Sequence, residues 1–218
     1  MILFISLLLV TCFHPTTEEW MSSINPLTFS RKTIEHLLNN GGYAIISAGR
    51  NPAMLNDLYL SDYVIQQRTN KLIDDIKDFY IYSSIIGSYD GGIERSFFLI
   101  LHNESPQDEL EELFRLGEKY NQDSIIYVKK SKPVIQQLIY TTGHYRGRYV
   151  KGNGYERLQS NVTDNFSRVH LCSNITFEFT LKFNFNIMYR DKIVIQTDKL
   201  LDYHHKNQQA NKQRCRNL

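Results

Sequence analysis

The sequence predicts an α+β fold, an antiparallel sheet carrying its helices on one face and followed by a β-rich extension. Three observations carry that expectation. Between residues 43 and 130 the apolar patterning runs strand, helix, strand, strand, helix, strand. The central pair of strands flanks Asp90-Gly91-Gly92, whose glycines supply the positive φ of a tight hairpin. Further on, Phe177, Phe179, Leu181, Phe183 and Phe185 recur at every second position, the period of a half-buried strand. The order βαββαβ is that of the split βαβ, ferredoxin-like core. The extension is then expected to cover the sheet face that the helices leave open.

Taken in order, FSRKTIEHLL (29–38) reads as a short helix, with Thr28 as N-cap and Asn39-Asn40-Gly41-Gly42 as its stop. YAIISA (43–48) is a short apolar run beside glycines, hence a buried strand. Pro52 forces Asn51 into an extended conformation and breaks the run. From Ser61 to Asp78 the residues Ile65, Thr69, Leu72, Ile76 and Phe79 fall on one helical face. The hairpin strands are YSSIIGSY (82–89) and ERSFFLILH (94–102). A second helix starts with Ser105 as cap, Pro106 at its first position and acidic residues in its first turn. Its buried stripe is Leu110, Leu113, Phe114, Gly117 and Tyr120, and SIIYVKK (124–130) is the next strand. Further strands are expected at 134–140, 177–185 and 191–197.

The chain divides into a hydrophobic segment at 1–20, an α+β core domain at 21–130, a β-rich extension at 131–200 and a basic polar tail at 201–218. With 218 residues, 42% of them hydrophobic and 22% charged, it can bury a real core without covalent staples. A formal charge of +2 argues neither for nor against a nucleic-acid partner, although residues 204–218 hold Lys206, Lys212, Arg214 and Arg216 with no acid. MILFISLLLV is too short to span a bilayer and lacks a preceding cation. It reads as a signal, an anchor or an extension upstream of Met21, so the chain is secreted, membrane-associated or cytoplasmic accordingly. Cys12, Cys172 and Cys215 form no metal or redox spacing; they read as free thiols, with a Cys172–Cys215 bridge as the alternative. The four Asn-x-Ser/Thr triplets, at Asn103, Asn161, Asn165 and Asn174, are what an Asn-rich chain produces by chance.

The chemistry-bearing candidates are few. GSYDGGIERSFF (87–98) fails as a phosphate-binding loop: its glycines lead into a strand, with no Lys-Ser/Thr and no helix N-terminus behind them. Glu94, just past the turn, shares a strand face with Ser96. Arg68 falls near the buried side of the first long helix and needs a partner, because an isolated buried charge is costly. Two readings follow. In one, Arg68 and Glu94 form an ion pair fixing helix to sheet. In the other, Asn51, Arg68, Glu94, Ser96 and Gln122 line a polar binding pocket at the sheet edge.

The segment YTTGHYRGRYVKGNGYER (140–157) interleaves tyrosines with cations. Tyr145, Arg146, Arg148, Tyr149 and Lys151 are the candidates there for stacking on and neutralising a single-stranded nucleic acid, against the plainer reading of an exposed hairpin. Gly-x-Ser-x-Gly, His-Glu-x-x-His and Cys-x-x-Cys patterns are all missing. Cofactor and metal are therefore not expected, and His204-His205 and the His170/Cys172 pair carry no catalytic spacing.

The core resembles a family of small bacterial and phage proteins known only as a domain of unknown function. The resemblance is carried by AIISAGRNP (44–52), QQRTNKL (66–72), ERSFFLI (94–100) and YNQDSIIY (120–127). It covers about residues 43–130 and singles out the same polar positions, Asn51, Arg68, Glu94, Ser96 and Gln122, without implying an activity. The Asn-, Ile-, Lys- and Tyr-rich composition suggests an AT-rich viral, phage or organellar genome. The expectation is then an uncharacterised binding or interaction protein rather than an enzyme, of viral or mobile-element origin, with another protein as partner. A nucleic-acid-associated protein using residues 140–157 and the tail is the first alternative. A small-molecule or nucleotide enzyme at Asn51, Arg68 and Glu94 is the second.

Overall fold

The computed structural model describes residues 29–89, 92–158, 165–171 and 175–189. The hydrophobic N-terminal segment, all three cysteines, the expected strand at 191–197, the basic tail and two residues of the hairpin turn, Asp90 and Gly91, lie outside the described residues.

The chain forms α1 (Arg31–Asn40), β1 (Tyr43–Ser47), α2 (Leu55–Leu58), α3 (Asp62–Ile76), β2 (Ile81–Tyr89), β3 (Gly92–Ile100), α4 (Pro106–Lys119) and β4 (Ser124–Lys129). It continues as β5 (Ile135–Tyr140), β6 (Tyr149–Arg157), β7 (Phe166–His170) and β8 (Thr176–Tyr189). The eight strands close into one antiparallel barrel in the order β1-β3-β2-β7-β8-β6-β5-β4, with β4 returning to β1.

This overturns the ferredoxin-like expectation. The sheet does not stop at the four strands β4-β1-β3-β2, and the C-terminal strands do not lie across its open face. They join its edges: β7 pairs with β2 and β5 pairs with β4. The physical reason is the edges themselves. A free edge exposes unpaired backbone N–H and C=O groups, and closing the sheet satisfies both edges at once.

Two apolar clusters fill the two sides of the strands. On the outer side, Leu72 and Ile76 of α3 and Leu110, Leu113 and Phe114 of α4 pack against Ala44, Ile46, Phe97 and Leu99. On the side turned away from α3 and α4, Tyr43, Ile45, Ile85, Phe98, Val128, Val169, Phe177 and Phe179 meet Ile34, Leu37 and Leu38 of α1. The alternation along β3 is explicit: Phe97 and Leu99 face the helices, while Phe98 faces into the barrel and stacks on Tyr43 at 4.6 Å. Each such fully buried Leu, Ile or Phe contributes about 1.5–3 kcal/mol.

The helix ends differ in detail from the sequence reading. Ser30, not Thr28, caps α1, its hydroxyl accepting from the Thr33 N–H at 3.1 Å. Ser61 caps α3 in the same way. At α4, Ser105 makes no bond to the helix N–H groups and turns its hydroxyl to Asp108. The first-turn acid Glu109 is fully buried and accepts the backbone N–H of His102 at 2.7 Å, tying helix to preceding loop. Among the described residues, no helix is long and apolar enough to cross a membrane.

Candidate active site

The polar residues of interest collect where β1 ends. Along β1 and β3 the inward positions are apolar first, Ile45 beside Phe98, and then become polar: Ser47 stands opposite Ser96. Glu94 follows two residues on, on the same face, opposite Gly87 of β2. The Ser47 hydroxyl donates to Glu94 Oε2 at 3.0 Å and the Ser96 hydroxyl donates to Oε1 at 3.3 Å. Gln122, just before β4, accepts the Ser47 backbone N–H at 2.9 Å and so fixes the end of β1.

No cation pairs with Glu94 among the described residues. Burial pushes its carboxyl above the ordinary glutamate range, and the two serine hydroxyls only partly offset that. Glycine backbone packs directly beside Glu94. A Cβ on Gly49 would collide with Glu94 Oε2, and one on Gly87 would come within 3.8 Å of Glu94 Cγ.

Arg68 does not reach Glu94. From α3 its Nη1 donates to Asp57 Oδ1 at 2.6 Å, and its Nη2 donates to the carbonyl of Gly49 at 2.9 Å and to that of Tyr120. The opposite carboxylate oxygen, Asp57 Oδ2, accepts the backbone N–H of Asn51 at 2.7 Å. Burial alone would raise the Asp57 carboxyl. The Asn51 N–H, the Arg68 guanidinium and Asn121 outweigh it and hold the group below the usual aspartate range.

Asn51 completes this clamp. Its Nδ2 donates to the Asn121 carbonyl and to Thr142 Oγ1, both at 2.9 Å, and its Oδ1 accepts the Ala53 N–H. The structure therefore divides the predicted pocket into two layers. Glu94, Ser96 and Ser47 present a carboxylate held by hydroxyls. Asn51, Arg68, Asp57 and Gln122 lock the loop and strand end beside it. Ser47 and Asp57 escaped the sequence reading, since a serine closing an apolar strand and an aspartate in a short helix carry no motif.

The basic–aromatic segment is also divided. Arg146 pairs with Glu118 of α4 and lies 5.2 Å from the Phe114 ring centroid. Arg148 lies 5.8 Å from the Tyr145 ring centroid, and Tyr145 is exposed. Tyr149 and Lys151 belong to strand β6 rather than to a loop. Among the described residues no group of three or more His, Cys, Asp or Glu side chains is placed to hold a metal ion.

Glu94 is thus a half-buried carboxylate on the inner wall of the barrel, bonded to two hydroxyls and paired with no cation among the described residues. The chain belongs to the S-adenosylmethionine lyase family, whose model matches residues 45–175, from β1 through β7. No curated protein matches it. The core thus carries a family domain of the bacterial and phage type, and that family is one with an enzyme activity in its name. Membership overturns the expectation of a non-catalytic binding or interaction protein, and of a domain without assigned chemistry. The sequence reading missed it because the Gly-x-Ser-x-Gly, His-Glu-x-x-His and Cys-x-x-Cys patterns by which it looked for an enzyme are absent from this chain.

Proposed function

We propose that this protein binds S-adenosylmethionine with its sulfonium facing Glu94 and cleaves a carbon–sulfur bond without consuming water. One observation carries the reading: Glu94 is a carboxylate held by two neutral hydroxyls, with no protein cation paired to it among the described residues. An uncompensated carboxylate in a low-dielectric site attracts a cationic ligand strongly. The sulfonium of S-adenosylmethionine is such a cation, and the matched family is a lyase family.

The chemistry constrains which bond breaks. In a lyase reaction the C–S electron pair leaves with sulfur, giving a neutral thioether, and the carbon must be satisfied from within the substrate. Only the amino-acid chain offers both balanced routes. Its own carboxylate oxygen bonds the carbon as sulfur leaves, closing a lactone with no proton moved, or a neighbouring C–H bond breaks to an alkene as its proton passes to a carboxylate. The bond to that chain is therefore the one cleaved. Positive charge moves from sulfur toward carbon as the bond stretches. A carboxylate accelerates this step only by interacting better with the transition state than with the bound sulfonium. Glu94 fits that demand when it faces the carbon side of the C–S bond, with Ser47 and Ser96 fixing its two oxygens.

The test is incubation of the full chain with S-adenosylmethionine, followed by chromatography and mass spectrometry in ¹⁸O-labelled water. An adenosyl thioether is expected, together with an amino-acid-derived product that carries no label on the carbon that left sulfur. Glu94→Gln is expected to lower kcat/KM by at least about 100-fold. Absence of turnover above the buffer rate, or label incorporated during cleavage, overturns the reading.

A further inference from the structure

We propose that Glu94 makes this site selective for charge at the sulfur position: it retains a cationic ligand and releases the neutral thioether that cleavage leaves behind. The inference rests on the S-adenosylmethionine reading and deepens it, assigning the discharge of the substrate as the event that frees the product.

The nearby cations are committed elsewhere. Arg68 spends its Nη atoms on Asp57 and on the carbonyls of Gly49 and Tyr120. Arg95, the neighbour of Glu94 in β3, points to the opposite face, where its Nε donates to Ser84 Oγ at 3.0 Å and its guanidinium lies 5.5 Å from the Phe97 ring centroid. Arg50 is held by the Leu60 carbonyl and by Asp62. None of them neutralises Glu94, and no other cation among the described residues is paired with it.

The backbone of Gly49 lies against Glu94 Oε2 and that of Gly87 lies beside Ser96 Oγ and Glu94 Cγ, so neither position sets a side chain against the carboxylate. A methyl-bearing sulfonium, whose charge is spread over three carbon substituents, donates no conventional hydrogen bond. The interaction is therefore mainly electrostatic, and it disappears when sulfur becomes a thioether. A site that recognised its ligand through hydrogen-bond donors to adenine or ribose would hold substrate and product alike. One that recognises the charge does not.

Isothermal titration with non-cleavable probes tests this in the full chain. The cationic probe is an adenosyl amino-acid analogue carrying a protonated amine in place of the sulfonium. The neutral probe is S-adenosylhomocysteine, the thioether of the same skeleton. Wild-type protein is expected to bind the cationic probe on the order of 100-fold more tightly. In Glu94→Gln the ratio is expected to collapse to within about threefold, through loss of affinity for the cation alone. Equal affinities in the wild type overturn the proposal, and that comparison needs no variant to fold. A Glu94→Gln protein that loses both probes equally also overturns it, because the residue then shapes the site rather than reading charge.

The two readings fail separately. Charge-selective binding without turnover of S-adenosylmethionine defeats the lyase reading and leaves the selectivity standing. Turnover with unselective binding defeats the selectivity alone, and binding of neither probe defeats the selectivity whatever the turnover.

Discussion

Arg68 forms its ion pair with Asp57, at 2.6 Å, and leaves Glu94, on the other side of Gly49, with no cation among the described residues. That arrangement separates the roles of two residues that the sequence placed together. Arg68 is a fastener: it holds the residues after β1 to α2 and to the end of α4 through one carboxylate and two carbonyls. Glu94 has no such fastening role among the described residues: its carboxylate is bonded only to Ser47 and Ser96. Both members of the ion pair are largely shielded, with side-chain exposures of 17% and 7%.

Removing one partner leaves the other charged and buried. Arg68→Ala is therefore expected to destabilise the fold by roughly 3–5 kcal/mol in urea denaturation. In a double-mutant cycle, Arg68 and Asp57 are expected to couple by at least about 1 kcal/mol, more strongly than Arg68 and Glu94. The depressed Asp57 carboxyl adds a pH test, with its sign fixed. Its contribution is present above the unfolded aspartate value and is lost as pH falls through the lower folded value. The stability gap between wild type and Asp57→Asn should thus close on the acid side. A gap that widens there contradicts the assignment.

Glu94 has the opposite sign. Its folded carboxyl is raised, so ionising it costs stability as pH climbs from the unfolded glutamate value through the folded one. Glu94→Gln keeps an acceptor for one serine hydroxyl, donates its NH2 to the other, and removes the charge. The variant is expected to melt roughly 2–4 °C above the wild type at neutral pH, with the difference vanishing in acid. Stabilisation accompanied by loss of activity is the signature of a group retained for function. A lower melting midpoint at neutral pH would argue that the carboxylate supports the fold.

Most local elements from β1 to β4 were legible because their signals are local: a helical stripe for α3, a proline opening α4, a hairpin between β2 and β3; the short α2 was not, and Ser105 does not cap α4 as expected. What the sequence concealed was closure. β6 and β7, with β8 between them in the barrel order, carry the sheet from β5 round to β2, and neither reads as a strand. In β6 the residues Gly152, Asn153 and Gly154 interrupt the two-residue period, and the pairing with β8 shifts register at Val150/Gly152 and again at Gly152/Tyr155. β7 is only five residues, with Val169 its sole fully buried apolar side chain. Strands without their own period are held by their neighbours, and a sequence read segment by segment does not contain those neighbours. The site was partly legible for the same reason. Glu94 and Ser96 share one strand and its period, whereas the Arg68–Asp57 pair depends on how α2 folds back.

Gly117 lies inside α4, where alanine is intrinsically preferred by about 1 kcal/mol. Packing decides otherwise. A Cβ there would meet Thr141 Cγ2 at 2.6 Å and Thr141 Cβ at 3.0 Å. Thr141 is fully buried and its hydroxyl holds the Gln122 carbonyl at 2.5 Å, so it has little room to retreat. Gly117→Ala is expected to destabilise by about 1–3 kcal/mol despite the helix propensity. Because Gln122 fixes Ser47, activity should fall as well. A stabilised variant would mean that Thr141 moves freely and that the Gln122 link is loose.

Gly49→Ala separates the site from the fold most cleanly. The added Cβ would strike Glu94 Oε2 and sit 3.3 Å from Glu94 Cβ, but the atom it strikes is the end of a flexible side chain. Gly49 is not among the glycines with positive φ, so alanine imposes no backbone strain there. The loss of unfolded-state freedom even favours the variant by about 0.4–1 kcal/mol, offsetting part of the displacement. Stability is therefore expected to stay within about 1 kcal/mol of wild type. The carboxylate, however, must swing away from Ser47, and catalytic placement tolerates little error. A fall in kcat/KM of at least about 10-fold is expected, at an unchanged melting temperature. Full activity in Gly49→Ala would show that the position of Glu94 against Ser47 is not the one the reaction uses.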